Sequence, residues 1–262
     1  MLFKKGLKYS TINVHRSAIS MTLPPVSGTH LGQHPLIVRL MKGVHNHRPP
    51  SRRLFPSWNA GQVVSSFKDW PSPPPLHLQI RKAAFLLAMA STRRPSELAG
   101  LRISTSYLSI NSTSARFVPT RLNKTDKAGH MGKPIIVYRL SADPSLCPVA
   151  AVESLISLRE EEDIPHDYLF CEDKAPFKRL STSAFSRRIG WILRQAGVDA
   201  PPGSTRAMSS SAAFSRGVSI DAILRAGDWS GADTFFRFYC RDLGVDPRDP
   251  PSAASHITLI LF

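Results

Sequence analysis

The sequence predicts a mainly α-helical α+β fold with a small antiparallel β-sheet, the larger part being preceded by a short helical unit. Three observations predict it. Apolar residues recur at helical spacing over most of the chain. Three strand-like stretches rich in Ile, Val, Tyr and Phe cluster at Leu101–Ile110, Ala115–Thr120 and Pro134–Leu140. A Pro-rich basic run, RPPSRRLFPS at 48–57, separates the two parts, because proline cannot continue a helix and stiffens an extended segment.

Taken in order, residues 1–48 carry two helices. Ser10 can N-cap the first, with Ile12, Ala18 and Ile19 on one side, and His34–Lys42 forms the second, with Gly43 as its stop. Two short helices make a thin core, so this unit is expected to be truncated. Residues 49–57 are a linker whose arginines can either touch phosphate or lie solvated. In the larger unit, 58–245, Asn59–Trp70 reads as an amphipathic helix. His77–Ser91 is apolar nearly all round and belongs in a core. Pro95 fits the first turn of a helix through Glu97 and Leu98. After the strands, helices are expected from Pro148, over Ser183–Gln195 and Ser204–Ser215, after a Ser219 cap, and over Ala232–Leu243. Residues 246–262 form a tail.

The 262 residues are 42% hydrophobic, enough for a real core, and carry a formal net charge of +15. A polyanion is therefore the first partner to consider. Cys147, Cys171 and Cys240 show no CxxC spacing, which argues against a zinc ribbon or a disulfide scaffold and for reduced intracellular thiols. No apolar run reaches the ~20 residues that span a bilayer, so no membrane partner is expected.

Three features can carry chemistry: Arg94 with Glu97, the basic loop holding Lys124 and Lys127, and the C-terminal stretch in which Arg206, Trp229 and Tyr239 lie on successive short helices. Taken singly, each has a plain structural reading: a surface ion pair, a solvated hairpin tip and a core aromatic. Their order changes that. The series YSTINVHRSAIS, HPLIVRLMKGVHNHRPP, STRRPSELAGL, the Lys-Thr dipeptide at 124–125, GSTRA, AGDWS and FFRFYCRD resembles the tyrosine recombinase (phage-integrase-like) family. It is most similar to recombinases of eukaryotic DIRS-type and Crypton mobile elements. The resemblance implies an N-terminal helical DNA-binding domain, here 1–48, and a DNA breaking-rejoining catalytic domain, here 58–245, closing around duplex DNA. It implies catalytic roles for Arg94, Lys124 (Lys127 as the alternative), Arg206, Trp229 and Tyr239. Two arginines clamp the scissile phosphate, the lysine acts as general acid and Tyr239 as nucleophile, without metal or cofactor.

Two departures from the family pattern stand out. The histidine expected three residues before Arg206 is Gly203, which removes a base for the phenol and predicts impaired activity, with His130 as a conceivable substitute. Asp228 intervenes in the Gly-Trp dipeptide, which is expected to displace Trp229 or bring a negative charge to the phosphate. His45 and His47 read as phosphate-facing or solvated. The expected partners are double-stranded DNA and further copies in a synaptic tetramer, and the expected location is the nucleus. The competing readings are an inactive DNA-binding remnant of a mobile element and a basic RNA-binding protein.

Overall fold

A computed structural model of the chain describes residues 1–50, 56–120 and 132–240, in two compact units, Met1–Arg53 and Leu54–Phe262.

The first unit packs helix α1 (Tyr9–Thr22) against α2 (Pro35–His47) through Ile12, Met41 and Val44, with Leu2, Phe3, Leu7, Tyr9 and Ile37 around them. Three expectations are corrected here. Helix α1 starts before Ser10, with Lys8 at its N-cap and no side-chain cap bond. Ala18 and Ile19 are exposed rather than part of an apolar face with Ile12. Helix α2 does not stop at Gly43 but runs on to His47, because Val44 is on the buried face and its burial outweighs the ~1 kcal/mol cost of an internal glycine. His45 packs edge-on against Tyr9 and His47 against Phe3, so both rings have partners within the unit. Arg48 donates to the carbonyls of Phe3 (2.8 Å) and Leu7 (3.3 Å) and stacks over the Phe3 ring, so this basic side chain closes its own unit.

The second unit is built around α4 (Leu76–Ser91), which follows a short α3 (Ala60–Ser65) capped by the Asn59 side chain. The helix expected through Trp70 gives way after Ser65 to a 3-10 turn over Ser66–Asp69. Helix α4 buries Phe85, Leu86, Leu87 and Met89 completely, as its apolar circumference requires. It leads into α5 (Pro95–Leu98) and a three-stranded antiparallel sheet, β1 (Leu108–Ile110), β2 (Ser114–Phe117) and β3 (Ile135–Tyr138), in the order β1-β2-β3. Leu108 lies opposite Phe117, which lies opposite Ile135, and Ala115 opposite Val137. All five are buried, so one face of the sheet joins the core. The first strand is shorter than expected because Leu101 and Ile103 bond across to Leu169 and Asp167 instead of to the hairpin.

Helices α6 (Pro148–Glu161), α7 (Thr182–Gln195), α8 (Ser204–Ser215), α9 (Ile220–Gly227) and α10 (Ala232–Phe238) complete the unit. The first three pack on α4. Helix α8 is lined with serine, which permits close packing. The Ser210 hydroxyl is satisfied by the Arg206 carbonyl (2.7 Å) and that of Ser211 by the Tyr239 carbonyl (2.8 Å). Helix α10 ends earlier than expected: Tyr239 is its C-cap, donating its N–H to Phe235 O at 2.8 Å.

Candidate active site

Arg94 owes its position to the exit from α4. Thr92 adopts a left-handed conformation (φ 53°) that turns the chain, and Arg94 becomes the N-cap of α5, with Pro95 pre-set for the first helical turn. Glu97 grips Arg94 twice. Its Oε2 accepts from the Arg94 backbone N–H and its Oε1 from Nη1, both at 3.0 Å. The carboxylate is buried (3% exposed) while the guanidinium is 30% exposed, so Glu97 is a fixed anchor and Arg94 presents its remaining donors outward.

Arg206 is the centre of the arrangement. It rises from the first turn of α8 and is 3% exposed. Its Nη2 donates to the carbonyl of Gly227 at 2.7 Å. Its Cζ lies 4.0 Å from the Trp229 ring centre and 5.2 Å from that of Tyr239. The Trp229 and Tyr239 rings meet edge-on at 5.0 Å. Burial, and then the neighbouring charge of Arg94, lower the Arg206 pKa to about 10, with Tyr239 and Glu97 acting in the opposite direction. At neutral pH the group remains charged. Arg206 Nε and Nη1 and the Trp229 indole N–H find no acceptor among the described residues. Buried donors left in this way suit an anion with several oxygens.

Four of the residues singled out from the sequence therefore stand together. Arg206, Trp229 and Tyr239 are in contact, and Arg94 is within electrostatic reach of Arg206. Lys124, its alternative Lys127, and His130 lie outside the described residues. Gly203 occupies the N-cap of α8 with φ −67° and ψ −12°. Among the described residues, no three His, Cys, Asp or Glu side chains gather as metal ligands.

The extra residue at 228 does not push Trp229 off Arg206. Asp228 takes up left-handed backbone (φ 52°) at the end of α9, and its carboxylate lies 3.4 Å from Arg93 Nη1. Arg93 was not evident as a functional residue. The available signal was an arginine doublet where the family pattern needs one arginine, together with an unexpected acid further along.

The tight seat of Trp229 has a consequence. A Cβ on Gly227 would fall 2.0 Å from Trp229 Cζ3, so no alanine fits without moving the ring. Gly227→Ala is expected to lower stability by roughly 1–3 kcal/mol, as overpacking does, and to change the indole environment. Urea denaturation and tryptophan fluorescence would read both.

Comparison with known proteins adds the family. No curated protein matches the chain. Among solved structures, XerA recombinase shares 18% identity at a TM-score of 0.54, over 91% of this chain and 80% of its own. The Tn1549 transposon integrase in complex with transposon right-end DNA shares 14% at 0.62, over 93% and 78%. A lambda integrase dimer bound to a COC′ core site shares 13% at 0.55, over 94% and 77%. The sequence pattern of the Phage integrase family matches residues 74–243, more than half of the chain and every described residue of the candidate site. The chain therefore belongs to the phage integrase (tyrosine recombinase) family, whose chemistry is the cleavage and rejoining of DNA.

Proposed function

We propose that this chain is a site-specific DNA recombinase that cuts one strand of a duplex at a time through a covalent bond to Tyr239. The observation that carries this reading is the buried Arg206, charged and with donors to spare, against the rings of Trp229 and Tyr239. A phosphodiester is an anion, and its in-line displacement gathers more charge on the non-bridging oxygens, so fixed cationic donors stabilise the transition state most. Arg206 and Arg94 supply them, and Glu97 holds Arg94 in place. The Tyr239 oxygen bonds to phosphorus while the bond to the 5′-oxygen breaks. The products are a 3′-phosphotyrosyl enzyme and a 5′-hydroxyl. Lys124 delivers the proton that the departing oxygen takes up. Because the new ester retains the energy of the old one, the reverse attack rejoins DNA without a nucleoside triphosphate.

The phenol also has to lose its proton, and the family's base position is Gly203. The first step is accordingly slow in this chain. The DNA-bound lambda and Tn1549 relatives support duplex DNA as the partner and more than one copy on it, consistent with a synaptic tetramer. The first unit serves DNA binding in this reading. The motif order supports descent from a DIRS- or Crypton-type element acting in a nucleus.

The test is a pool of nicked duplexes of randomised sequence, from which the cleaved end diffuses away and traps the adduct. The native chain should accumulate a covalent protein–DNA species, and Tyr239→Phe should abolish it while leaving DNA binding in place. An adduct that persists in Tyr239→Phe would exclude this nucleophile.

A further inference from the structure

We propose that the buried Arg93 and the half-buried Asp228 form a positioning pair that holds the two arginine-bearing segments of the active centre in register; the proposal rests on the recombinase reading above.

Arg93 is 1% exposed, among the largest fully buried side chains of the chain. A guanidinium cannot remain there unpaired, since the effective penalty is several kcal/mol. Its Nη1 lies 3.4 Å from Asp228 Oδ2, and its Nη2 donates to the Lys133 carbonyl at 3.3 Å. Arg93 thus ties together the exit of α4, the segment entering β3 and the end of α9.

Two of these attachments adjoin functional groups. Arg93 directly precedes Arg94. Asp228 sits between Gly227, whose carbonyl is held by Arg206, and Trp229, whose ring covers the Arg206 guanidinium. The left-handed backbone at 228 costs a non-glycine residue about 1–2 kcal/mol, least for Asp and Asn, and the ion pair holds it there. Rotation at 228 would carry off the indole and the Gly227 carbonyl together.

Charge balance supports the same assignment. Arg93 is paired with Asp228 and Arg94 with Glu97, so the acid at 228 answers a buried charge of its own and is not set against Arg206. The negative charge at 228 is thereby directed to Arg93. Replacing a buried ion pair by neutral groups is often tolerated in stability, so a stability role alone would not predict a catalytic defect.

The test compares the native chain with Arg93→Met/Asp228→Asn, which removes both charges together. Arg93→Lys, which keeps a charge opposite Asp228 but cannot also make the guanidinium's second contact, is the second variant should the first not fold. Three quantities are measured: duplex affinity, the rate of adduct formation at saturating DNA, and the indole N–H resonance of Trp229, assigned by its loss in Trp229→Phe. The expected result is little change in affinity, a rate lower by about 10- to 100-fold, as for a small misplacement of catalytic groups, and a shifted indole resonance. The proposal is overturned if a folded variant keeps the native rate, or if its indole resonance stays where it was. Should the native chain form no adduct at all, the recombinase reading fails, and the Trp229 resonance alone then decides whether the pair positions the site.

Discussion

Arg206→Ala should reduce adduct formation by at least 10²–10³-fold, the range seen when one preorganised donor to a developing oxyanion is removed. Arg206 makes two contributions. It brings a charge into a buried position, where such a charge acts with less screening than at the surface. It also holds the Gly227 carbonyl and, through stacking, the Trp229 ring against which Tyr239 rests. Arg206→Lys should recover little, since an ammonium cannot both bond Gly227 and present a planar fork to phosphate. A neutral methylphosphonate at the scissile position separates the two contributions. If Arg206 acts chiefly on the charge of the reacting group, Arg206→Ala should lose much less on that substrate than on the phosphate. An equal loss on both would assign Arg206 a purely structural part.

Gly203→His should act in the opposite direction and raise the rate by 10²–10⁴-fold, the usual contribution of a placed general base. Gly203 is only partly buried and stands three residues before Arg206, at the N-cap of α8. Its φ of −67° and ψ of −12° are open to any residue, so an imidazole enters without backbone strain. The gain should appear in the rate at saturating DNA rather than in affinity. An unchanged rate would mean that deprotonation of Tyr239 is not the slow step, or that another group already accepts the proton.

Much of this architecture could be read from the chain because local chemistry and burial agree. Helix α4 is apolar nearly all round and is buried nearly all round. Ser219 caps α9 as its spacing implies, and α8 begins at Ser204 and ends at Ser215 as expected. Legibility failed where a partner distant in sequence decided the outcome. The stretch after Leu101 has the composition of a strand, yet its bonds go to the segment around Asp167–Leu169, more than sixty residues later. Glycine at 43 resembles a stop, but Val44 beyond it has a buried place. In the site, Arg94, Arg206, Trp229 and Tyr239 could be named because each stands in a motif. Arg93 could not, because its role depends on Asp228, and nothing in local sequence announces that the two approach. Asp228 looked like a disturbance for the same reason: its compensating charge lies 135 residues earlier in the chain. An accidental match, and with it a basic RNA-binding protein, is not favoured once the family pattern spans residues 74–243.

The most direct measurement is to digest the trapped protein–DNA species with trypsin and locate the attached nucleotide by mass spectrometry. The tryptic fragment concerned is Phe238–Arg241, FYCR. The expected result is a nucleotide phosphate on the phenolic oxygen of Tyr239, faint in the native chain and abundant in Gly203→His. A nucleotide on Cys240 or on any other residue, or duplex bound by both proteins with no adduct in either, would contradict it.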